Sequence, residues 1–403
     1  MDGWQTITVT DLGRVVTGKT PPTAKPHLYG DGYPFITPTD INNFRYCEPT
    51  RQLSEAGRES QRNLILPPRT VCVTCIASVG KMCMTDRPSF TNQQINSVIV
   101  DESRHDPFFV YYLLQTRVEH LKAIAGGAAT PIINKTAFSE IEVSVPPLPI
   151  QRRIASILSA YDELMENSQR RIRILESMAR ALYCEWFVQF RFPGHEKVGL
   201  VESSLGKIPK GWELCALGDF VQFKSGFAFK SSTFTRDGSH RLVTIKNVQD
   251  GAFNPESDSR MSELPQKLPP YCVLNDGDIL LSLTGNVGRV CLVYDGPFLL
   301  NQRVSKLAPV EAFDWAMTYC MFREPEMRVK LEQLSNGVAQ QNLSPVLASK
   351  MEFARPPKDL RKRFAALTDS MVQGIVHDYS KIKNLRRTRD LLLPRLLSGQ
   401  VAL

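Results

Sequence analysis

No run of apolar residues in this 403-residue chain approaches the roughly 18 that a membrane span requires. The opening residues, Met1-Asp2-Gly3-Trp4-Gln5, carry neither a basic flank nor an apolar stretch, so no secretory signal is expected. Low-complexity tracts are also missing from a composition of 42% hydrophobic and 22% charged residues, the balance of a globular protein. Nine scattered cysteines, an odd count, argue for reduced thiols in the cytoplasm and against a disulfide framework. Catalytic signatures are scarce. His27, His105, His120, His195, His240 and His377 show neither ligand nor triad spacing. Ser78-Val79-Gly80-Lys81 matches a phosphate loop poorly, because Cys75 replaces the earlier glycine and Met82 the magnesium-binding hydroxyl. There is no Asn/Asp-Pro-Pro-aromatic tetrad of a methyl-donor site.

What the chain does have is a second copy of itself, at a shift of about 208–210 residues. Trp4…Leu12-Gly13…Thr17-Gly18 returns as Trp212…Leu217-Gly218…Ser225-Gly226. Val79-Gly80-Lys81 returns as Val287-Gly288-Arg289, and Asn92-Gln93-Gln94-Ile95 as Asn301-Gln302-Arg303-Val304. Gly127 matches Gly337, Pro146-Pro147 matches Pro356-Pro357, and Arg152-Arg153-Ile154 matches Lys362-Arg363-Phe364. The repeat also weakens a zinc reading of Cys72-x-x-Cys75 with Cys83, since Leu280 and Leu283 stand at the equivalent positions of the first two. The thiols read as small strand hydrophobes, and Asp276 and Asp278 as turn-shaping residues. No metal, cofactor or catalytic residue is expected on this chain.

Each copy has two parts. Residues 1–147 and 212–355 alternate short apolar runs with turns, including Tyr33-Pro-Phe-Ile-Thr-Pro, Thr70-Val-Cys-Val-Thr-Cys-Ile-Ala and Ile95-Asn-Ser-Val-Ile-Val, which read as strands. Phe108 to Ala125 has helical spacing. Residues 148–192 and 356–403 are predicted to be long helices, joined to the second copy by a linker over 193–211. In the first, Ile154, Tyr161, Ser168, Leu175 and Leu182 fall seven apart, with Leu158, Met165, Ile172, Ala179 and Trp186 as companions. In the second, Phe364, Met371, Asp378, Leu385 and Leu392 do so, with Leu367, Ile375, Ile382 and Leu396 between them. Pro394 should kink or end that helix. Antiparallel pairing would put Ser168 and Asp378 in one polar layer that fixes register. The predicted architecture is α+β: two similar mixed α/β domains separated by two antiparallel coiled-coil helices, in a pseudo-twofold repeat.

Charge is concentrated in the rods. Residues 151–191 hold 7 basic and 5 acidic side chains and residues 358–399 hold 10 and 4, which accounts for the whole net charge of +8. A nucleic-acid surface on the domains must therefore be built from local loops. Three loop classes recur: Lys19 and Lys25 with Lys224 and Lys230; Ser78 and Lys81 with Asn286 and Arg289; Gln93 and Gln94 with Gln302 and Arg303. Lysine and arginine neutralise phosphates, while amides and arginine suit base edges in the major groove. Trp186, Phe187 and Tyr379 either form an apolar docking patch for a partner or fill the ends of the rods' own core.

The chain closely resembles the specificity subunits of type I restriction-modification enzymes. The marks are Val145-Pro-Pro-Leu-Pro-Ile-Gln-Arg-Arg-Ile-Ala-Ser-Ile-Leu, Ala181-Leu-Tyr-Cys-Glu-Trp-Phe-Val, Leu205-Gly-Lys-Ile-Pro-Lys-Gly-Trp-Glu and Leu385-Arg-Arg-Thr-Arg-Asp-Leu-Leu-Leu-Pro-Arg-Leu-Leu-Ser-Gly. One departure is Arg361, which stands opposite Gln151. The resemblance implies two target-recognition domains, each reading one half of a split site on double-stranded DNA. It also implies docking of two modification subunits, which restriction subunits can join, with no membrane involved and S-adenosylmethionine held by the methyltransferase partner. Two other classes stay open: a coiled-coil scaffold without sequence-specific DNA binding, and a self-contained DNA-modifying enzyme.

Overall fold

The computed structural model describes residues 3–42, 44–126, 130–235, 237–335 and 342–399. They fall into two compact units, one of residues 1–167 with 383–403 and one of residues 168–382. The Gly127–Gly337 correspondence lies outside the described residues. Among those residues no helix is long and apolar enough to cross a membrane.

The first unit is organised by an antiparallel sheet of β1 (Gly13–Thr17), β2 (Val71–Thr74), β3 (Met82–Met84) and β4 (Ile95–Val100), in the order β1-β4-β2-β3. Every side chain of β2 is buried, as a continuous apolar run predicts for a strand covered on both faces. Its alternation divides the core. Val71 and Val73 join Phe109, Leu113, Ile154 and Leu158 on one side. Cys72 faces the other way with Cys83, Ile36 and Ile41. Burial pushes the Cys75 thiol up to about 11, so it stays protonated and apolar in character. A second sheet places Tyr29–Ile36 between Arg51–Leu53 and Phe90–Thr91.

The predicted helix over Phe108–Ala125 is two helices, α1 (Pro107–Gln115) and a second over Val118–Ala125. Asp106 caps the first, accepting the Phe109 N–H at 3.0 Å. It ends where the Thr116 hydroxyl turns back to the Leu113 carbonyl at 2.7 Å. After Pro146-Pro147 comes α2 (Leu148–Tyr183), 36 residues closed by a π turn over Cys184–Val188. Ile154, Ala155 and Leu158 of α2 complete the core of this unit together with Leu393 and Leu396.

The second unit repeats the plan. Strands β5 (Val221–Ser225), β6 (Ile279–Ser282), β7 (Val290–Leu292) and β8 (Val304–Pro309) pair in the order β5-β8-β6-β7. Registers correspond as well as order: Leu280 lies opposite Cys291 as Cys72 lies opposite Cys83. Helix α3 (Trp315–Arg323) takes the place of α1, and Pro356-Pro357 precedes α4 (Lys358–Leu397), which runs 40 residues and carries Pro394 within its last turn.

Within this unit α2 and α4 run in opposite directions. Arg171 pairs with Asp378, Leu175 lies against Gly374, and the Tyr183 ring meets Phe364 at 6.3 Å. One expectation for the rods needs correction. Leu367 is 47% exposed, and the buried position beside it belongs to Thr368, whose hydroxyl donates to the Phe364 carbonyl at 2.9 Å. Ser168 and Asp378 are both buried, at 4% and 0% exposed, and the Asp378 carboxylate accepts from the Arg171 guanidinium at 2.5 and 2.6 Å. Trp186 and Phe187 are only 6% and 7% exposed, packed with Phe364, and Tyr379 stacks on Tyr294 at 4.9 Å. Trp186 and Phe187 thus fill their own unit's core, one of the two readings of these aromatics, while Tyr379 is half-buried.

Asp378 is fully buried whereas the Arg171 side chain is 54% exposed. Asp378→Leu would free an arginine that water can accept, and Arg171→Ala would strand a buried carboxylate. The first is expected to hold or raise the melting temperature, the second to lower stability by roughly 3 kcal/mol. Thermal unfolding of the two variants checks the asymmetry.

Candidate nucleic-acid interface

In the first unit the loops converge at one end of the β1–β4 sheet. The Lys19 N–H donates to the Thr91 carbonyl at 3.0 Å, and the Thr20 hydroxyl reaches the Gln93 side chain at 2.5 Å. Gly18 makes this approach possible, since a Cβ there would stand 2.2 Å from the Thr91 carbonyl oxygen. Asn92 and Gln94 brace each other through their amides at 2.9 Å, and the Gln94 carbonyl accepts the Cys75 N–H at 2.7 Å. That bond joins the amide loop to the glycine turn. The turn is closed by Thr74, whose hydroxyl donates to the Ser78 carbonyl and accepts the Lys81 N–H at 2.9 Å. Lys19, Ser78, Lys81 and Gln93 are exposed, and Gln94 is half-buried. Exposed Lys25 opens the turn Pro26–Leu28, and no hydrogen bond among the described residues ties it to the amide loop.

The second unit builds the same junction from different side chains. Gly226 sits 2.2 Å, by its would-be Cβ, from the Asn301 carbonyl oxygen. The Gln302 N–H donates to the Phe227 carbonyl at 3.1 Å, and the Arg303 carbonyl accepts the Leu283 N–H at 3.1 Å. Ser282 does the work of Thr74: its hydroxyl donates to the Asn286 carbonyl at 2.5 Å and accepts the Arg289 N–H at 3.0 Å. Lys230, Asn286, Gln302 and Arg303 are exposed, Lys224 and Arg289 half-buried. The Lys224 ammonium lies over the Tyr271 ring at 5.6 Å.

A fourth loop belongs to each junction and was missed in the sequence. The Thr37 N–H and hydroxyl both donate to the Asp40 carboxylate, at 2.8 and 2.7 Å. Thr244 and Asn247 repeat the motif at 2.8 and 3.0 Å. The strand ends feeding these loops accept the Asn92 and Asn301 N–H groups, through the Ile36 and Val243 carbonyls. Each basic residue of a glycine turn reaches this loop, Lys81 to the Pro38 carbonyl at 3.4 Å and Arg289 to the Gln249 side chain at 2.7 Å. The available signal was a Thr-x-x-Asp/Asn pair at a shift of 207, short enough to pass for an ordinary turn.

The chain belongs to the type I restriction modification DNA specificity domain family, whose model matches residues 1–177 and 209–358, and DNA target recognition is that family's role. It is similar to the type I restriction enzyme MjaIX specificity subunit of Methanocaldococcus jannaschii, with 27% identity over 99% of this chain and 93% of the relative. The HindI specificity subunit of Haemophilus influenzae is 37% identical over 43% of this chain and 39% of its own length. A crystal structure of the type I restriction-modification S subunit from M. genitalium covers 98% of this chain and 96% of its own, with a TM-score of 0.58 and 18% identity. That likeness is one of fold.

Proposed function

We propose that each unit reads one half of a split target on double-stranded DNA through its four-loop junction. The observation that carries this reading is the recurrence of one loop geometry with exchanged side chains: Lys81 against Arg289, and Gln94 against Arg303. A conserved frame with changed tips is what two readers of different base sequences require. Lys19, Lys25, Lys224 and Lys230 would hold phosphates, and Ser78, Gln93, Gln94, Asn286, Arg289, Gln302 and Arg303 would lie near the base edges. The two long helices, read as an antiparallel coiled-coil spacer in a pseudo-twofold repeat, would set the distance between the half-sites. Readers on one face of a duplex lie about one helical turn apart, roughly 34–36 Å, which leaves about 5–8 unread base pairs.

Chemistry would belong to partners. An adenine inside a duplex must be extruded to be methylated, so the methyl donor, S-adenosylmethionine, and the base pocket are assigned to two docked modification subunits. Restriction subunits would join the same assembly, and this chain would contribute no catalytic group. Mapping methylated adenines in DNA exposed to the chain with its modification partner tests the reading; a split motif is expected. Methylation without sequence preference would support a scaffold instead. Removing one heptad from each rod should change the unread spacer, and an unchanged spacer would sink the ruler.

A further inference from the structure

Arg289 is held by a neutral amide, unlike four other arginines of its unit. Arg241, Arg323, Arg355 and Arg361 each pair with a carboxylate. The Arg289 guanidinium instead donates from Nη1 to the Gln249 amide oxygen at 2.7 Å. Gln249 is itself fixed, because its Nε2 donates to the Lys246 carbonyl at 2.8 Å and its backbone N–H to the Ala252 carbonyl at 2.9 Å. The turn behind it is tied to β7 by the Gly251 N–H on the Val290 carbonyl at 2.8 Å. A neutral amide orients the guanidinium without cancelling its charge, and it occupies one of the five N–H donors.

Beside the fork lies a cavity of about 250 Å³ whose eight lining residues include Lys246, Gln249, Thr284, Asn286 and Arg289 itself. The Thr284 hydroxyl oxygen is buried and has no hydrogen-bond partner among the described residues. A buried hydroxyl left unpaired is costly, and an incoming polar ligand would satisfy it. An oriented, uncancelled fork beside amide and hydroxyl groups suits the O6 and N7 edge of guanine. A phosphate site would gather cations, whereas six of the eight residues lining this cavity are neutral and Lys246 is the one cation beside Arg289 itself. The first unit has Lys81 at the equivalent position, a point charge without a fork.

We infer that Arg289 reads a guanine in the half-site taken by the second unit, and that Gln249 positions it. This rests on the DNA-reading function proposed above. The test uses the chain assembled with its modification partner, on duplexes carrying the mapped target. Each guanine is replaced in turn by 7-deazaguanine, which lacks the N7 acceptor, and the dissociation constant is measured at fixed salt. The intact protein is expected to lose about tenfold or more at one guanine. Arg289→Lys should lose as much on the unmodified duplex and nothing further at that guanine. Gln249→Ala should relax base preference at the same pair alone, a selectivity that a merely structural role would not produce. Three results overturn the inference: a target without a G·C pair, no guanine coupled to Arg289, or an Arg289→Lys loss that is equal on all duplexes and lowers the salt slope by about one contact, as phosphate binding would. Failure of the intact complex to methylate any split sequence is a different outcome, and would sink the DNA-reading function itself.

Discussion

Arg389→Ala is expected to cost about 3–5 kcal/mol of stability, against at most about 1 kcal/mol for an exposed ion-pairing arginine. The Arg389 and Asp162 side chains are 8% and 2% exposed and meet at 2.5 Å. The other Asp162 oxygen accepts the Tyr112 hydroxyl at 2.5 Å, and burial together with that carboxylate pushes the phenol well above its usual range. The tyrosine therefore remains a donor at any accessible pH. Truncating Arg389 would leave the enclosed Asp162 carboxyl with the Tyr112 hydrogen bond and no countercharge. Replacing the pair together, Asp162→Leu with Arg389→Met, should recover most of the loss, because a matched apolar substitution of a buried pair is often neutral or better. Urea unfolding of the wild type, the two single variants and the double variant gives the coupling directly. A coupling below about 1 kcal/mol would mean that the pair contributes no more than a surface bridge.

The heptad pattern announced both rods but misplaced some of their buried faces, and the reason is physical. Ile154, Ala155 and Leu158 pack into the core of the recognition domain, among Phe109, Leu113 and Leu121. Apolar spacing over that stretch therefore records two interfaces at once, and a count of sevens cannot separate them. Asp162 and Arg389 were invisible for a related reason, since a charged residue in a heptad reads as a solvated face until its partner, 227 positions away, is known. Glycines fared better. Gly18 and Gly226 mark close backbone approaches whose requirement is local and steric, so the repeat displayed them directly. The two aromatics at the end of α2 illustrate the limit. Sequence left open whether Trp186 and Phe187 dock a partner or fill the core, because their ring neighbours Phe364 and Trp212 lie in the second copy, beyond the reach of heptad spacing.

The departure at Arg361 leads to the second large effect. In the first unit Gln151 ties the start of α2 to the start of α1, donating to the Pro146 carbonyl at 2.8 Å and accepting the Asp106 N–H at 3.0 Å. Arg361 performs the same tie in the second unit with a charge, donating to the Pro356 carbonyl at 3.1 Å and to the Asp314 carboxylate. Burial pushes the Asp314 carboxyl from 3.8 up to about 6, and the Arg361 charge only partly offsets it. Its Oδ1 atom is buried without a partner among the described residues. The folded state thus favours the protonated acid. Its contribution is fully present below the unfolded value near 4 and is lost as pH rises through about 6. Arg361→Ala removes the offset, so the variant is expected to lose about 3–5 kcal/mol at pH 7.5 and much less at pH 5, where the acid takes up a proton. Asp314→Asn combined with Arg361→Gln, which imports the neutral chemistry of the first unit, should flatten the pH slope of unfolding between those values. An Arg361→Ala cost that is equal at both pH values would assign the arginine to packing over Phe220 and Phe313, whose rings it covers at 5.7 and 5.2 Å.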